Sequence, residues 1–174
     1  MHLWNFEFKA RAKNIESLEK KLLELNPEFM GEDHQVDTYF NIPSGRLKLR
    51  EGRIENALIY YRRPDIPDIK QSEILLYKYD PDTSLLEILS AALGIKVVVD
   101  KLRRIYFIDN VKFHFDKVCD LGTFIEVEAI NKTGKINLEM LKDQCIRYFS
   151  YFGLNDSDCI GKSYSDLILE NLKR

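Results

Sequence analysis

Pairs of ionisable residues two positions apart recur along this chain: Glu7 and Lys9, Lys48 and Arg50, Lys101 and Arg103, His114 and Asp116, Glu126 and Glu128. A spacing of two places both side chains of a pair on one face of an extended strand. Apolar residues alternate with them on the opposite face, among them Phe6 and Phe8, Leu47 and Leu49, Phe113 and Phe115, and Ile125 and Val127. Arg46 lengthens the second row, Lys112 the fourth, and Asn5 heads the first. On a single strand this pattern describes a half-exposed sheet with its charges in water. Over five strands the signs are sorted as well: bases gather at 46–50 and 101–103, acids at 116, 126 and 128. Solvated faces usually intersperse the two signs. Grouped bases suit a polyanion, because Lys and Arg make charge-assisted hydrogen bonds to phosphate oxygens. Grouped carboxylates suit a hard divalent cation, Mg2+ or Mn2+. A triphosphate carried by such a cation needs both groups at once.

The elements that position these rows are legible in turn and cap signals. After the first strand, Asn14 can cap a helix through Ile15, Leu18, Leu22, Leu23 and Leu25, ended by Asn26-Pro27. Strands follow at 35–42 and 46–53, separated by the turn Pro43-Ser44-Gly45, then at 57–63 and 72–79. Asp82-Thr83 and the apolar periodicity from Leu85 to Leu93 mark a second helix, with Gly94 at its C-terminal cap. Three more strands read at 96–108, 111–118 and 123–130, and the remaining segment is helical at about 137–152 and 164–172. Short connections between eight strands favour antiparallel pairing. Amphipathic helices must cover the sheet, which leaves an open α+β layer or a closed barrel.

The bulk properties set limits. A chain of 174 residues forms one domain, 1–174, with a sizeable core. Its hydrophobic content of 45% and charged content of 31% describe a globular protein. The 26 bases and 28 acids leave a net charge of −2, so nothing global attracts nucleic acid or an anionic membrane. No apolar run reaches the roughly 20 residues of a membrane-crossing helix, and a charged strand stands where a secretory signal would be. Cys119, Cys145 and Cys159 show no metal-ligand spacing and read as reduced thiols of a cytoplasmic protein. The eight glycines are scattered through turns, which excludes a P-loop nucleotide-binding protein.

The chain resembles the CYTH proteins, or triphosphate tunnel metalloenzymes, and within them the bacterial class IV adenylyl cyclases. The family's opening Glu-x-Glu-x-Lys stands here as Asn5-Phe6-Glu7-Phe8-Lys9. The likeness continues through Asp37-Thr38-Tyr39-Phe40, Leu47-Lys48-Leu49-Arg50, Tyr61-Arg62-Arg63 and Lys101-Leu102-Arg103. It then includes Asp116, the run from Leu121 to Glu128, and Ser163-Tyr164-Ser165-Asp166-Leu167. The resemblance implies an α+β fold, an eight-stranded antiparallel β-barrel with helices packed outside. It further implies that Lys9, Lys48, Arg50, Arg63, Lys101 and Arg103 contact a triphosphate. Glu7, Asp116, Glu126 and Glu128 would ligate Mg2+ or Mn2+, and Asn5 replaces the family's first glutamate with a neutral oxygen.

The activity implied is cyclisation of ATP to cyclic AMP and pyrophosphate. Hydrolysis of thiamine triphosphate, inorganic tripolyphosphate or a nucleoside triphosphate uses the same grip, and a non-catalytic polyphosphate- or nucleotide-binding module is a third reading. The expected partner is a small-molecule triphosphate, with no membrane or nucleic acid, and the resemblance favours a homodimer. His114 could relay a proton but reads more readily as a hydrogen-bonded wall residue. Tyr164 matches a family position and is explained equally well by packing of the last helix; Trp4, Phe6 and Phe8 read as core.

Overall fold

The structure, a computed structural model, describes residues 1–81, 83–131, 134 and 136–173, with only the backbone of Thr83. The cap expected at Asp82 and Thr83 lies outside the described residues and side chains. Eight strands form a closed antiparallel barrel in the order β1-β5-β4-β3-β2-β6-β7-β8. They are β1 (His2–Arg11), β2 (Glu28–Phe40), β3 (Arg46–Glu51), β4 (Ala57–Arg62), β5 (Lys70–Lys78), β6 (Ile95–Ile108), β7 (Val111–Val118) and β8 (Gly122–Asn131). Four helices, α1 (Ile15–Leu23), α2 (Thr83–Leu93), α3 (Leu138–Phe152) and α4 (Tyr164–Asn171), complete the described elements, with a short 3₁₀ turn at Asp156–Asp158. Closure removes every unpaired sheet edge. It also gives each strand an interior face that need not be apolar.

Two faces therefore need two kinds of filling. Outside, Phe8, Phe113, Phe115, Ile125 and Val127 pack against Leu22 of α1 and Leu141, Cys145, Tyr148 and Phe152 of α3. The rings of Phe113 and Tyr148 meet edge to face at 4.7 Å, a favoured aromatic geometry. Inside stand the charged rows, so β7 is buried on both faces except at Lys117. Trp4 corrects the core expectation: it shares the outward face of Phe6 and Phe8, yet it is exposed and tilts against His2 at 5.5 Å. The helical cover leaves the start of β1 open.

Local sequence sets most of the boundaries. Asn14 caps α1 by accepting the Ser17 N–H at 2.9 Å. Gly94, at φ +72°, ends α2 in the left-handed region, where the lack of Cβ removes strain. Ser163 and Asp166 form a capping box at α4, and Asp166 also accepts from Arg46 of β3 at 2.8 Å. The main difference from the sequence expectation is β2, which begins at Glu28 and not near residue 35. Its first residues are largely exposed on both faces, and a register shift falls between Phe29 and Gly31, so no alternation marks them. Pairing with the 14-residue β6 makes them a strand.

Candidate triphosphate and cation site

Alternation brings the predicted side chains together. Asn5, Glu7, Lys9, Lys48, Arg50, Arg63, Lys101, Arg103, Glu126 and Glu128 all line one interior cavity of about 550 Å³. Asp116 is the exception. It is fully buried, with Arg103 donating to both its oxygens at 2.6 Å and the Tyr164 hydroxyl donating at 2.7 Å. Both carboxylate oxygens are thus occupied by protein donors.

The structure corrects one feature of the charge pattern. Bases and acids are separate along the sequence but interleaved in space. Asp37 accepts from Lys48 at 2.8 Å, from Arg50 at 2.8 and 3.0 Å, and from Lys101 at 2.7 Å. Burial alone would raise the Asp37 carboxyl, but Arg50, Lys101 and Lys48 hold it well below its usual range. Three bases around one acid leave unspent positive charge. Burial, with Arg50, Arg103 and Lys48 acting against the pull of Asp37, brings the Lys101 ammonium down to about 7. Glu55 accepts from Arg50 at 3.1 Å and also from Lys112, and Glu7 accepts from Arg63. Lys9 stands 3.5 Å from Glu126 and 4.0 Å over the Tyr164 ring.

Across the cavity the balance reverses. One ligand atom each from His114, Glu126 and Glu128 lies within 4.8 Å of the others. Burial and the neighbouring Glu126 push the Glu128 carboxyl up to about 7. Glu126 stays well below the usual range despite its burial, held by Lys9, His114 and Arg103. Burial, then Arg103 and Lys112, push His114 down to about 3, so its imidazole is neutral near pH 7. His114 Nδ1 lies 3.3 Å from Glu126 Oε2, and its Nε2 is buried without a partner. Two carboxylates and a neutral imidazole whose Nδ1 faces both of them fit a divalent cation of the Mg2+ or Mn2+ kind when the ring proton sits on Nε2. Crowding of negative charge at Glu128 is what such a cation would relieve.

Sequence reasoning missed the compensating groups. Asp37 was visible only as part of a motif. Glu55 belongs to the loop between β3 and β4, where strand alternation cannot reach. His114 joins the carboxylates as well as the wall.

The CYTH domain model matches residues 4–150. A Methanocaldococcus jannaschii protein named "Putative adenylate cyclase" is 25% identical, covering 92% of this chain and 96% of its own. Among solved structures, the PH1012 protein of Pyrococcus horikoshii is 28% identical, with TM-score 0.79 over 94% of this chain and 98% of that one. A Hippeastrum protein, titled "Putative adenylyl cyclase" with a dominant triphosphatase activity, is 12% identical, with TM-score 0.60 over 99% and 96% of the two chains. At that identity the likeness is one of fold.

Proposed function

The chain belongs to the CYTH domain family, and we propose that it is a divalent-cation-dependent enzyme of adenylyl cyclase type, converting ATP to cyclic AMP and pyrophosphate. One observation carries the reading: the bases around Asp37 and the cluster of His114, Glu126 and Glu128 line the same cavity. A relative named as an adenylate cyclase aligns over nearly its whole length. Lys48, Arg50 and Lys101 take the distal phosphates, exchanging part of their contact with Asp37 for phosphate oxygens. Lys9 of β1, Arg103 of β6 and Arg63, which follows β4, line the same cavity and hold the remaining oxygens. In cyclisation the ribose 3′-hydroxyl gives its proton to water as its oxygen bonds to the α-phosphorus. The bond from the α-phosphorus to the bridging oxygen breaks, and pyrophosphate departs with that electron pair against these fixed bases. Preorganised positive charge of this kind stabilises the leaving group without reorganisation during the reaction. A divalent cation held by Glu126, Glu128 and His114 would supply further positive charge to the phosphate oxygens.

Hydrolysis is the second reading, favoured by the fold likeness to the Hippeastrum protein with its triphosphatase activity. The same grip presents water instead of the 3′-hydroxyl. Incubation with ATP and Mn2+ or Mg2+, followed by chromatography, separates the readings. Cyclic AMP with pyrophosphate is expected; ADP with phosphate selects hydrolysis, and tight binding without turnover selects a sensor.

A further inference from the structure

Three adjacent strands change character together along the cavity wall. On β1 the inward residues run Leu3, Asn5, Glu7, Lys9. On β5 Ile74 and Ser72 line the cavity, Leu3 opposite Ile74 and Asn5 opposite Ser72, while Lys70, opposite Glu7, turns its ammonium to the Ile66, Ile160 and Gly161 carbonyls. On β8, Ile130 stands opposite Asn5, Glu128 opposite Glu7, and Glu126 opposite Lys9. The wall thus passes from ionic to apolar across one row, occupied by Asn5 and Ser72. Ile130 completes that row on β8, and beyond it Leu3, Ile59, Ile74 and Leu76 line the cavity, with Lys78 following Leu76 on β5.

Asn5 and Ser72 are each only 1% exposed. Asn5 Nδ2 donates to Glu7 Oε2 at 3.3 Å, which directs its amide and leaves Oδ1 without a partner. Ser72 Oγ has none either. Buried polar atoms are costly to leave unpaired, and two neighbours in this condition on a cavity wall point to a ligand. We propose that Asn5 Oδ1 and Ser72 Oγ recognise a hydroxyl on the organic part of the substrate, whose apolar body lies along Leu3, Ile74 and Ile130. The hydroxyl donates to Asn5 and accepts from Ser72.

The proposal rests on the triphosphate reading above and narrows it: the substrate is a hydroxyl-bearing organic ester, not inorganic tripolyphosphate. A cavity of about 550 Å³ lies in the usual range for organic ligands, roughly 300–1,000 Å³. A neutral residue at position 5 suits this role. Its cross-strand partners Ser72 and Ile130 provide no base, so a carboxylate there would add to the negative charge of Glu7 and Glu128.

The test uses ATP, 2′,3′-dideoxy-ATP and inorganic tripolyphosphate as probes with Mn2+, read as ligand-dependent shifts in melting temperature converted to affinity. The wild type is expected to bind ATP about five- to tenfold more tightly than the dideoxy compound, the worth of roughly one hydrogen bond. Ser72→Ala and Asn5→Ala should each bring ATP toward the dideoxy level while changing tripolyphosphate affinity less than twofold. Equal wild-type affinity for ATP and dideoxy-ATP, or equal losses for ATP and tripolyphosphate in the variants, overturns the proposal alone. Failure of the wild type to bind any of the three overturns the triphosphate reading and the proposal with it.

Discussion

Lys101 places an ammonium in a fully buried position, 2.7 Å from Asp37 and among Lys48, Arg50 and Arg103. Its pKa of about 7 in the folded chain lies below the ordinary lysine value of 10.5. Between these values the unfolded chain holds the proton and the folded chain does not. Stability from this group therefore rises with pH across that window and is least below pH 7. An anion reverses the preference by favouring the charged form. At pH 8 the wild type should take up close to one proton more than Lys101→Arg on binding tripolyphosphate. Calorimetry in two buffers of different ionisation enthalpy measures this, and equal uptake by both proteins speaks against a neutral Lys101. Residues of this kind were legible because strand alternation puts them on one face, and the family motifs make that face the interior. Trp4 was misjudged for the converse reason: alternation gives a face but not which part of it α3 covers.

The loop between β3 and β4 shows what elements contribute beyond single strands. It carries Glu55 into the cavity and is held by Asp33 of β2, which accepts the Arg53, Ile54 and Glu55 backbone N–H groups at 2.6, 3.0 and 3.1 Å. Gly52 is required beside this carboxylate, since a Cβ there would lie 2.6 Å from Asp33 Oδ2. Asp33→Ala should therefore destabilise the fold by about 3 kcal/mol, because buried donors lose a charged acceptor. A fall in urea midpoint measures this; a shift under 0.5 kcal/mol, the usual size at an unconstrained surface site, would remove Asp33 from this role. The sequence reveals seven strands to within a few residues, because turns such as Asp109-Asn110 and apolar alternation coincide. It conceals the first half of β2, where partner strand and bulge decide the conformation, and with it the support of Glu55.

For the whole molecule, an interior of paired charges is expensive to bury, and the barrel sustains it by pairing nearly every described base of the interior with a carboxylate. Alternation alone left an open sheet and a closed barrel equally available; the family motifs favoured closure, and the β1–β5 and β1–β8 pairings show it. What no sequence pattern could show is that Asp37 and Glu55 pair with Lys48, Arg50, Lys101 and Lys112 inside the barrel. The central claim is that this cavity grips several linked phosphates at once. It is tested by calorimetric titration of tripolyphosphate, pyrophosphate and orthophosphate, each with Mn2+, into the wild type and Lys101→Ala. The account predicts that affinity rises with each added phosphate, reaching at least about a hundredfold from orthophosphate to tripolyphosphate. Loss of one charge-assisted contact, worth roughly 1.5–3 kcal/mol, should weaken tripolyphosphate about ten- to a hundredfold and orthophosphate far less. Equal affinities for the three anions, or an equal loss for each in the variant, would contradict it.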